Sequence, residues 1–131
     1  MSTIPWQTAY APKVVTAKEA LANIQNGSSV FVGSGAAEPI LLTEALASMA
    51  AQVWDIDIFQ LAASRKQLAF ATPEMRDHFR YNTLYVGQAG TTADHTPMRL
   101  SELPHAIRTG ILPFNVALIQ VSPPDALGLC S

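Results

Sequence analysis

The sequence has 131 residues, of which 49% are hydrophobic and 14% charged, and its formal net charge at pH 7 is −2. This length suits one domain, and the apolar fraction is high enough to build a core, which excludes a disordered chain. The sequence has no Lys/Arg-rich run and no basic stripe, which argues against a nucleic-acid-binding protein. A low charge with much apolar surface also fits a domain that a partner partly covers.

Cys130 is the only cysteine, so the chain has no internal disulfide, and this usage predicts a cytoplasmic protein. Its place beside the last residue favours an ordinary thiol over a nucleophile. Residues 1–12 lack the basic and apolar regions of a secretory signal. The longest apolar stretch, residues 39–54, contains Glu44 and is shorter than the roughly 20 apolar residues that span a bilayer. We therefore expect no membrane association.

The first half of the chain alternates between helix and strand patterns. Thr16 and Glu19 form a capping-box pattern that predicts a helix over residues 16–24. A short apolar run without alternation, residues 29–32, predicts a strand with both faces covered. An apolar stripe then predicts a helix over residues 40–51, with a proline at its first turn.

The second half has weaker signals that end in a strong one. We interpret residues 55–59 as a strand near a sheet edge and residues 73–78 as a short helix. A strand at residues 82–86, a polar loop at 87–96 and a short helix at 101–110 follow. Residues 61–70 fit no single element. Residues 116–121 are the strongest strand in the chain, and the prolines that follow must leave the sheet.

This alternation predicts the fold class. It indicates one α/β domain over residues 1–131, Rossmann-like, with an open, mostly parallel sheet and helices on both faces. Ligands of such sheets bind at the carboxyl ends of the strands, so the loops that leave these ends are the candidate sites.

The first candidate is the loop at residues 33–39, Gly-Ser-Gly-Ala-Ala-Glu-Pro. Its small residues let the backbone approach a ligand closely, and amides before a helix can point outward as anion donors. Glu38 is a further candidate to face a ligand. The alternative interpretation is a tight turn without a ligand. The loop is not the dinucleotide fingerprint, because the third glycine and the following acid are missing.

The second candidate is the loop at residues 122–131, which opens with Ser-Pro-Pro-Asp directly after the strongest strand. Two prolines make it rigid, and Gly128 permits a turn. It is either a positioned wall of a site or a stiff strand exit.

The remaining polar residues are weaker candidates. The three histidines (His78, His95 and His105) have no metal-ligand spacing, and no nucleophile stands beside a base, so we predict no metal site and no catalytic residue in this chain. The basic residues at 65–66 and 76–80 either attract a phosphate or form a solvated face.

The two loops together resemble those of the acetyl-CoA hydrolase/transferase family, a group of coenzyme A transferases. The resemblance rests on residues 30–39, Val-Phe-Val-Gly-Ser-Gly-Ala-Ala-Glu-Pro, and on residues 97–104, Pro-Met-Arg-Leu-Ser-Glu-Leu-Pro. It rests most on residues 116–128, where the strand ends in Val-Ser-Pro-Pro-Asp. The matching segments occur in the same order as in the family, and the resemblance covers residues 13–131.

The resemblance implies a NagB/CoA-transferase-like fold and an N-terminal domain of a two-domain enzyme. Members move coenzyme A between a small acyl group and a carboxylate, or to water. A glutamate in the second domain forms an acyl anhydride and then a glutamyl-CoA thioester, and no residue here matches it. Acyl-CoA is a substrate, and no covalently bound cofactor is expected. By the same resemblance the site residues are those of the two loops: Gly33, Ser34, Gly35, Pro39, Ser122, Pro123 and Asp125.

The resemblance also implies acetate metabolism and contacts with the protein's own C-terminal domain, and we expect self-association, with a homodimer as one form. Many members have a histidine where this chain has Leu127, and the family pattern continues past Ser131. We therefore expect a truncated piece with little activity alone. The alternatives are a stand-alone acyl- or CoA-binding or regulatory module and, less in keeping with the loops, a nucleotide-binding domain.

Overall fold

A parallel sheet of five strands organises the chain in the computed structural model, which describes residues 8, 10–63, 70, 72–85, 93–125 and 127–131. In these residues the strands are β1 Ser29–Val32, β2 Ile56–Gln60, β3 Phe79–Thr83, β4 Asp94–His95 and β5 Val116–Leu118. The helices are α1 Ala17–Leu21, α2 Ile40–Ser48 and α3 Leu103–Arg108.

The strand order is β4-β3-β2-β1-β5, and each neighbouring pair is parallel. The chain therefore builds outward from β1 to β4 and then returns to place β5 on the other side of β1. A side-chain bond supports this return, because the Ser29 amide donates to Asn115 Oδ1 at 3.0 Å. The strand order reverses between β1 and β5, which is the topological switch point of the sheet.

Helices cover both faces of the sheet, as the sequence predicts. Successive strand residues point to opposite faces, so Val30 and Ile58 pack with α1 and α2 in the larger core, where both are 0% exposed. Phe31 and Phe59 lie on the other face, in a smaller core with Leu103 of α3. The predicted α/β class with an open parallel sheet is confirmed.

The capping box at α1 is also confirmed. The Glu19 amide donates to Thr16 Oγ1 at 3.2 Å, and the Thr16 amide donates to Glu19 Oε2 at 2.9 Å. These bonds satisfy amides that the first turn of a helix leaves unpaired. The helix itself is shorter than residues 16–24, and Gly27, in the following turn, has a φ of 77°.

The predicted position of β2 near an edge is wrong, because β2 lies at the centre of the sheet. The length and flanks of the segment suggested an edge, and Asp57, the exposed residue of the strand, interrupts its apolar pattern. Asp57 Oδ1 accepts from Arg80 Nε at 2.6 Å, and Arg80 also pairs with Asp55 at 3.0 Å. An ion pair on the sheet surface thus replaces an apolar side chain in a central strand.

The third strand begins three residues earlier than predicted, at Phe79 instead of residue 82. Pairing with β2 buries Phe79, Tyr81 and Thr83 on the core face, and this alternation extends the strand backward. Within the expected polar loop, Asp94–His95 adds β4 by pairing with Asn82 and Thr83. Residues 87–92 of that loop lie outside the described residues, as do residue 86, the last of the predicted strand, and residues 64–69.

Several predicted elements are shorter in the structure. The helix at residues 73–78 is reduced to a 3-10 turn at Pro73–Met75, and α2 ends at Ser48, before a 3-10 turn at Ala50–Gln52. The strongest predicted strand, residues 116–121, pairs only over Val116–Leu118. Beyond it, Ile119 and Val121 are 58% and 52% exposed. No described helix is long and apolar enough to cross a membrane.

Gly33 and Gly35, in the loop after β1, are required for different reasons. Their substitution should therefore lower the free energy of unfolding by different amounts. A Cβ at Gly33 would lie 2.6 Å from the Ala37 carbonyl oxygen, whereas a Cβ at Gly35 would meet no atom within 4 Å. Gly35 instead has a φ of 60°. We expect Gly33→Ala to cost about 1–3 kcal/mol through overpacking against backbone, and Gly35→Ala about 1–2 kcal/mol through its left-handed backbone.

Urea unfolding of the variants measures these costs. Gly35→Asn serves as the control, since asparagine tolerates the left-handed region better than alanine. A Gly33→Ala variant as stable as the wild type would contradict the close approach, and a Gly35→Asn variant less stable than Gly35→Ala would contradict the backbone argument.

Candidate functional site

An open groove of about 440 Å³ lies at the carboxyl ends of β1 and β5. We call it the switch-point groove. Residues from both candidate loops line it: Ala36, Ala37, Gln120, Val121, Ser122, Pro123 and Ser131. The two loops that the sequence singles out are thus brought together at one place, although more than 80 residues separate them along the chain.

Gly33 is the residue that brings these loops side by side. Its amide donates to the Leu118 carbonyl at 2.9 Å, which extends the pairing of β1 with β5 by one bond beyond β1 itself. Both strands therefore end at the same level, and the loops leave the sheet next to each other. The absence of a Cβ at Gly33 lets the loop fold back, so that the Ala37 carbonyl approaches the Gly33 backbone.

The structure places the predicted site residues at different depths. Ser122 and Pro123 line the switch-point groove directly. Gly33 and Pro39 are buried beneath it, and Ser34 and Gly35 are half-buried. The groove is therefore walled by Ala36, Ala37 and the strand exit after β5, while the glycines and the proline shape the loop from below.

Three of the loop amides that were expected to point outward for an anion donate within the protein instead. Gly35 N–H donates to the Ala62 carbonyl at 3.3 Å, Ala37 N–H to Ser34 at 3.2 Å and Glu38 N–H to Gly35 at 3.2 Å. The loop folds into a 3-10 turn, Gly35–Ala37, and this turn uses its own amides. These amides support the loop geometry and do not form an open anion nest.

The Ser34 hydroxyl fastens the glycine loop to the exit of β2. Its Oγ accepts from the Leu61 amide at 2.9 Å and lies 3.5 Å from the Val32 carbonyl. Leu61 is held from its other side as well, because its carbonyl accepts from Tyr85 N–H at 3.0 Å. Ser34 thus fixes the loop to the exit of β2, in addition to the bond from the Gly33 amide to β5.

Asp125 shapes the second loop and is not among the residues that line the groove. Its Oδ1 accepts from the amides of Leu127 at 2.8 Å and Leu129 at 2.9 Å, around Gly128, whose φ is 79°. The loop is closed by a bond from the Ser122 amide to the Ser131 carbonyl at 2.8 Å. The turn predicted at Gly128 is confirmed.

Beneath the glycine loop lie buried polar residues that the sequence interpretation missed. Gln60 is 0% exposed, and its Nε2 donates to the Gly33 carbonyl at 2.9 Å. Tyr81 Oη donates to Gln60 Oε1 at 2.9 Å. Glu38, expected to face a ligand, is 2% exposed. Burial raises the pKa of Tyr81 to about 12, and the charge of Glu38 acts in the same direction.

One sequence signal could have identified Gln60 and Gln120. Each is a polar residue directly after apolar residues of a predicted strand, at the end where a parallel sheet binds its ligands. A glutamine at this end of a strand is either exposed or buried with bonded partners. Here Gln120 is exposed in the switch-point groove, and Gln60 is buried and bonded to Gly33.

Two of the three histidines named as weaker candidates contact backbone carbonyls and do not line the groove. His78 Nδ1 is 2.8 Å from the Val53 carbonyl, and His95 Nε2 is 2.9 Å from the Leu84 carbonyl. Among the residues described, no group of His, Cys, Asp and Glu could hold a metal ion. Cys130 is an exposed free thiol, and the basic residues 65–66 lie outside the described part of the chain.

Comparison with known proteins gives relatives that match nearly the whole chain. The chain is 37% identical over 134 residues to the 4-hydroxybutyrate coenzyme A transferase of Clostridium kluyveri, with 96% of this chain and 30% of that protein covered. It is 34% identical over 117 residues to a succinyl-CoA:acetate/propanoyl-CoA:succinate CoA transferase of Fasciola hepatica, with 82% and 24% covered. The chain thus spans less than a third of the length of these relatives.

Solved structures share the fold. The 4-hydroxybutyrate CoA-transferase of Porphyromonas gingivalis superposes with a TM-score of 0.77 and 28% identity, with 96% of this chain and 29% of that one covered. RipA from Yersinia pestis superposes with a TM-score of 0.80 over 91% of this chain and 31% of its own, but at 21% identity it supports the fold alone.

The family model of the acetyl-CoA hydrolase/transferase N-terminal domain matches residues 2–131. This match, the similarity to coenzyme A transferases and the pairing of the two loops at one groove agree with the resemblance found in the sequence. The chain belongs to the acetyl-CoA hydrolase/transferase family, of which it contains N-terminal domain sequence.

Proposed function

We propose that the protein to which this chain belongs moves coenzyme A between a small acyl group and a carboxylate acceptor, or to water. The observation that supports this most is the switch-point groove, in which the two loops carrying the family resemblance meet. The reacting glutamate belongs to a second domain, and this chain supplies one wall of the site.

The groove suits the acyl end of an acyl-CoA. None of the described residues that line it is charged, and the loop after β1 contributes only the small side chains of Ala36 and Ala37. Small apolar walls accept a short acyl chain, while polar groups of Gln120 and Ser122 can orient its carbonyl. Backbone bonds within the protein hold this loop, so the wall is already formed before a ligand arrives.

The chemistry proceeds through covalent exchange on a glutamate. Its carboxylate attacks the thioester carbon and expels the CoA thiolate, which leaves an acyl–glutamyl anhydride. The thiolate then attacks the glutamyl carbonyl carbon and releases the acyl group as a carboxylate, which leaves a glutamyl-CoA thioester. An incoming carboxylate reverses these steps, and water in its place gives hydrolysis. Exclusion of water from the groove therefore decides between transfer and hydrolysis.

Apolar side chains beside the groove give the rest of the enzyme a surface to cover. Ile119, Val121 and Leu129 are each more than half exposed, at 58%, 52% and 63%. A second domain that closes over them would bury this apolar surface and also exclude water from the groove. We assign this contact to the protein's own C-terminal domain.

The first test fills the groove. In the full-length protein we expect Ala36→Phe to lower acyl transfer from acetyl-CoA to a carboxylate by at least about tenfold, since a phenyl ring would occupy the space of the acyl chain. Ala22→Phe is the matched control, because Ala22 is an exposed alanine at the end of α1, away from the groove. Transfer and hydrolysis are both measured, by exchange of labelled acetate and by thiol release.

Two results would count against the proposal. A wild-type protein that binds acyl-CoA without turning it over would favour the binding or regulatory module. Equal activity of Ala36→Phe and Ala22→Phe would place the acyl group outside the groove.

The second test concerns the Ser34 hydroxyl, which we propose helps to orient a carboxylate through the loop it holds. Ser34→Ala removes the acceptor of the Leu61 amide, and we expect a loss of activity of about tenfold, in proportion to one hydrogen bond. Ser34→Thr retains the hydroxyl and is expected to recover most of it. Activity unchanged in Ser34→Ala, measured as kcat/KM for acetyl-CoA, would remove this role.

A further inference from the structure

We propose that Gln60 is a positioning residue for the glycine loop, and that Tyr81 acts through it. The proposal rests on the function proposed above, because it assigns to these two side chains the geometry of the same groove. Neither is among the residues that line the groove, and they act on the Gly33 peptide from within the core.

The bonds form a short chain with a defined direction. Gln60 ends β2, where it lies opposite Val32 of β1 and Thr83 of β3. The Gly33 carbonyl can only accept, so the glutamine must present its NH₂ group there, at 2.9 Å. Its oxygen is then turned toward β3, where Tyr81 Oη donates to it at 2.9 Å. Tyr81 thereby fixes the orientation of the Gln60 amide.

The Gly33 peptide is the part of the loop that most needs such support. A glycine adopts many backbone conformations, so the peptide between Gly33 and Ser34 has little intrinsic preference. Its preceding amide is bound to Leu118 of β5, and its carbonyl is bound to Gln60. The loop is therefore held on both sides where it leaves the sheet, and this orientation decides where the turn that carries Ala36 and Ala37 stands.

A role in core packing alone would not account for this arrangement. Burying an amide costs free energy unless its polar atoms are bonded, and an apolar side chain of similar size would fill the same space. The structure instead places both polar ends of Gln60 on partners, one of which is the first residue of the loop. The bonds specify one conformation of the loop. Their loss should therefore lower activity by more than the accompanying loss of stability explains.

The experiment uses Gln60→Met, Tyr81→Phe and their double variant in the full-length protein. Ile58→Val is the matched control, since Ile58 is buried on the same strand and the same face, two residues before Gln60. We expect Gln60→Met to lower kcat by about tenfold and Tyr81→Phe by about threefold. Ile58→Val should keep the wild-type kcat although its Tm falls by a similar amount.

The double variant separates a relay from two independent effects. Because the proposed relay routes the effect of the Tyr81 hydroxyl through Gln60, we expect the double variant to have the kcat of Gln60→Met, about tenfold and not about thirtyfold below the wild type. A kcat of the double variant near the product of the two single losses would overturn the relay, and an effect of Gln60→Met no larger than that of Ile58→Val would overturn the positioning role.

Amide hydrogen exchange gives a second measurement that does not need turnover. The amides of Gly35 and Leu61 are bonded to the Ala62 carbonyl and to Ser34 Oγ. We expect both to exchange faster in Gln60→Met than in Ile58→Val. If the wild type shows no acyl transfer, the proposed function fails while this measurement still decides the positioning role; equal exchange in the two variants would reject it.

Discussion

The contact on which the rest of the site depends is the one between Gly33 and the end of β5. The Gly33 amide binds the Leu118 carbonyl, and the missing side chain of Gly33 makes room for the Ala37 carbonyl. Without the first contact the exits of β1 and β5 would not stand side by side, and without the second the loop would not fold back into its 3-10 turn. The groove is the space that these two constraints leave between the exits.

The alternation of apolar segments was enough to predict the fold class, because a parallel sheet covered on both faces leaves a direct trace in the sequence. Strand boundaries were less accessible. Arg80 and Asp57 pair on the surface of two adjacent strands, and such a pair conceals a central strand from a hydropathy pattern. Asp94–His95 became a strand only through its neighbour β3, which no local pattern records.

The candidate site was predictable in its location and less so in its chemistry. Glycine and proline at residues 33–39 marked the loop, and Ser-Pro-Pro-Asp marked its partner, since both follow apolar strands. The roles of individual atoms depend on tertiary contacts: Ser34 reaches Leu61, and Gln60 reaches Gly33 across 27 residues. A sequence pattern shows which residues are small or rigid, but not which carbonyl a buried amide will meet.

The return of β5 to the first strand has a consequence for the order of folding. Strands β1 to β4 follow each other across the sheet and can pair as the chain lengthens, whereas the bond between Ser29 and Asn115 closes a separation of 86 residues. Contacts between residues so distant in sequence have the largest entropic cost of loop closure, and they tend to form late. During synthesis the glycine loop therefore exists before its opposite wall does. The groove forms only when the segment around β5 has emerged and docked, so within this part of the chain the sheet precedes the groove that it carries.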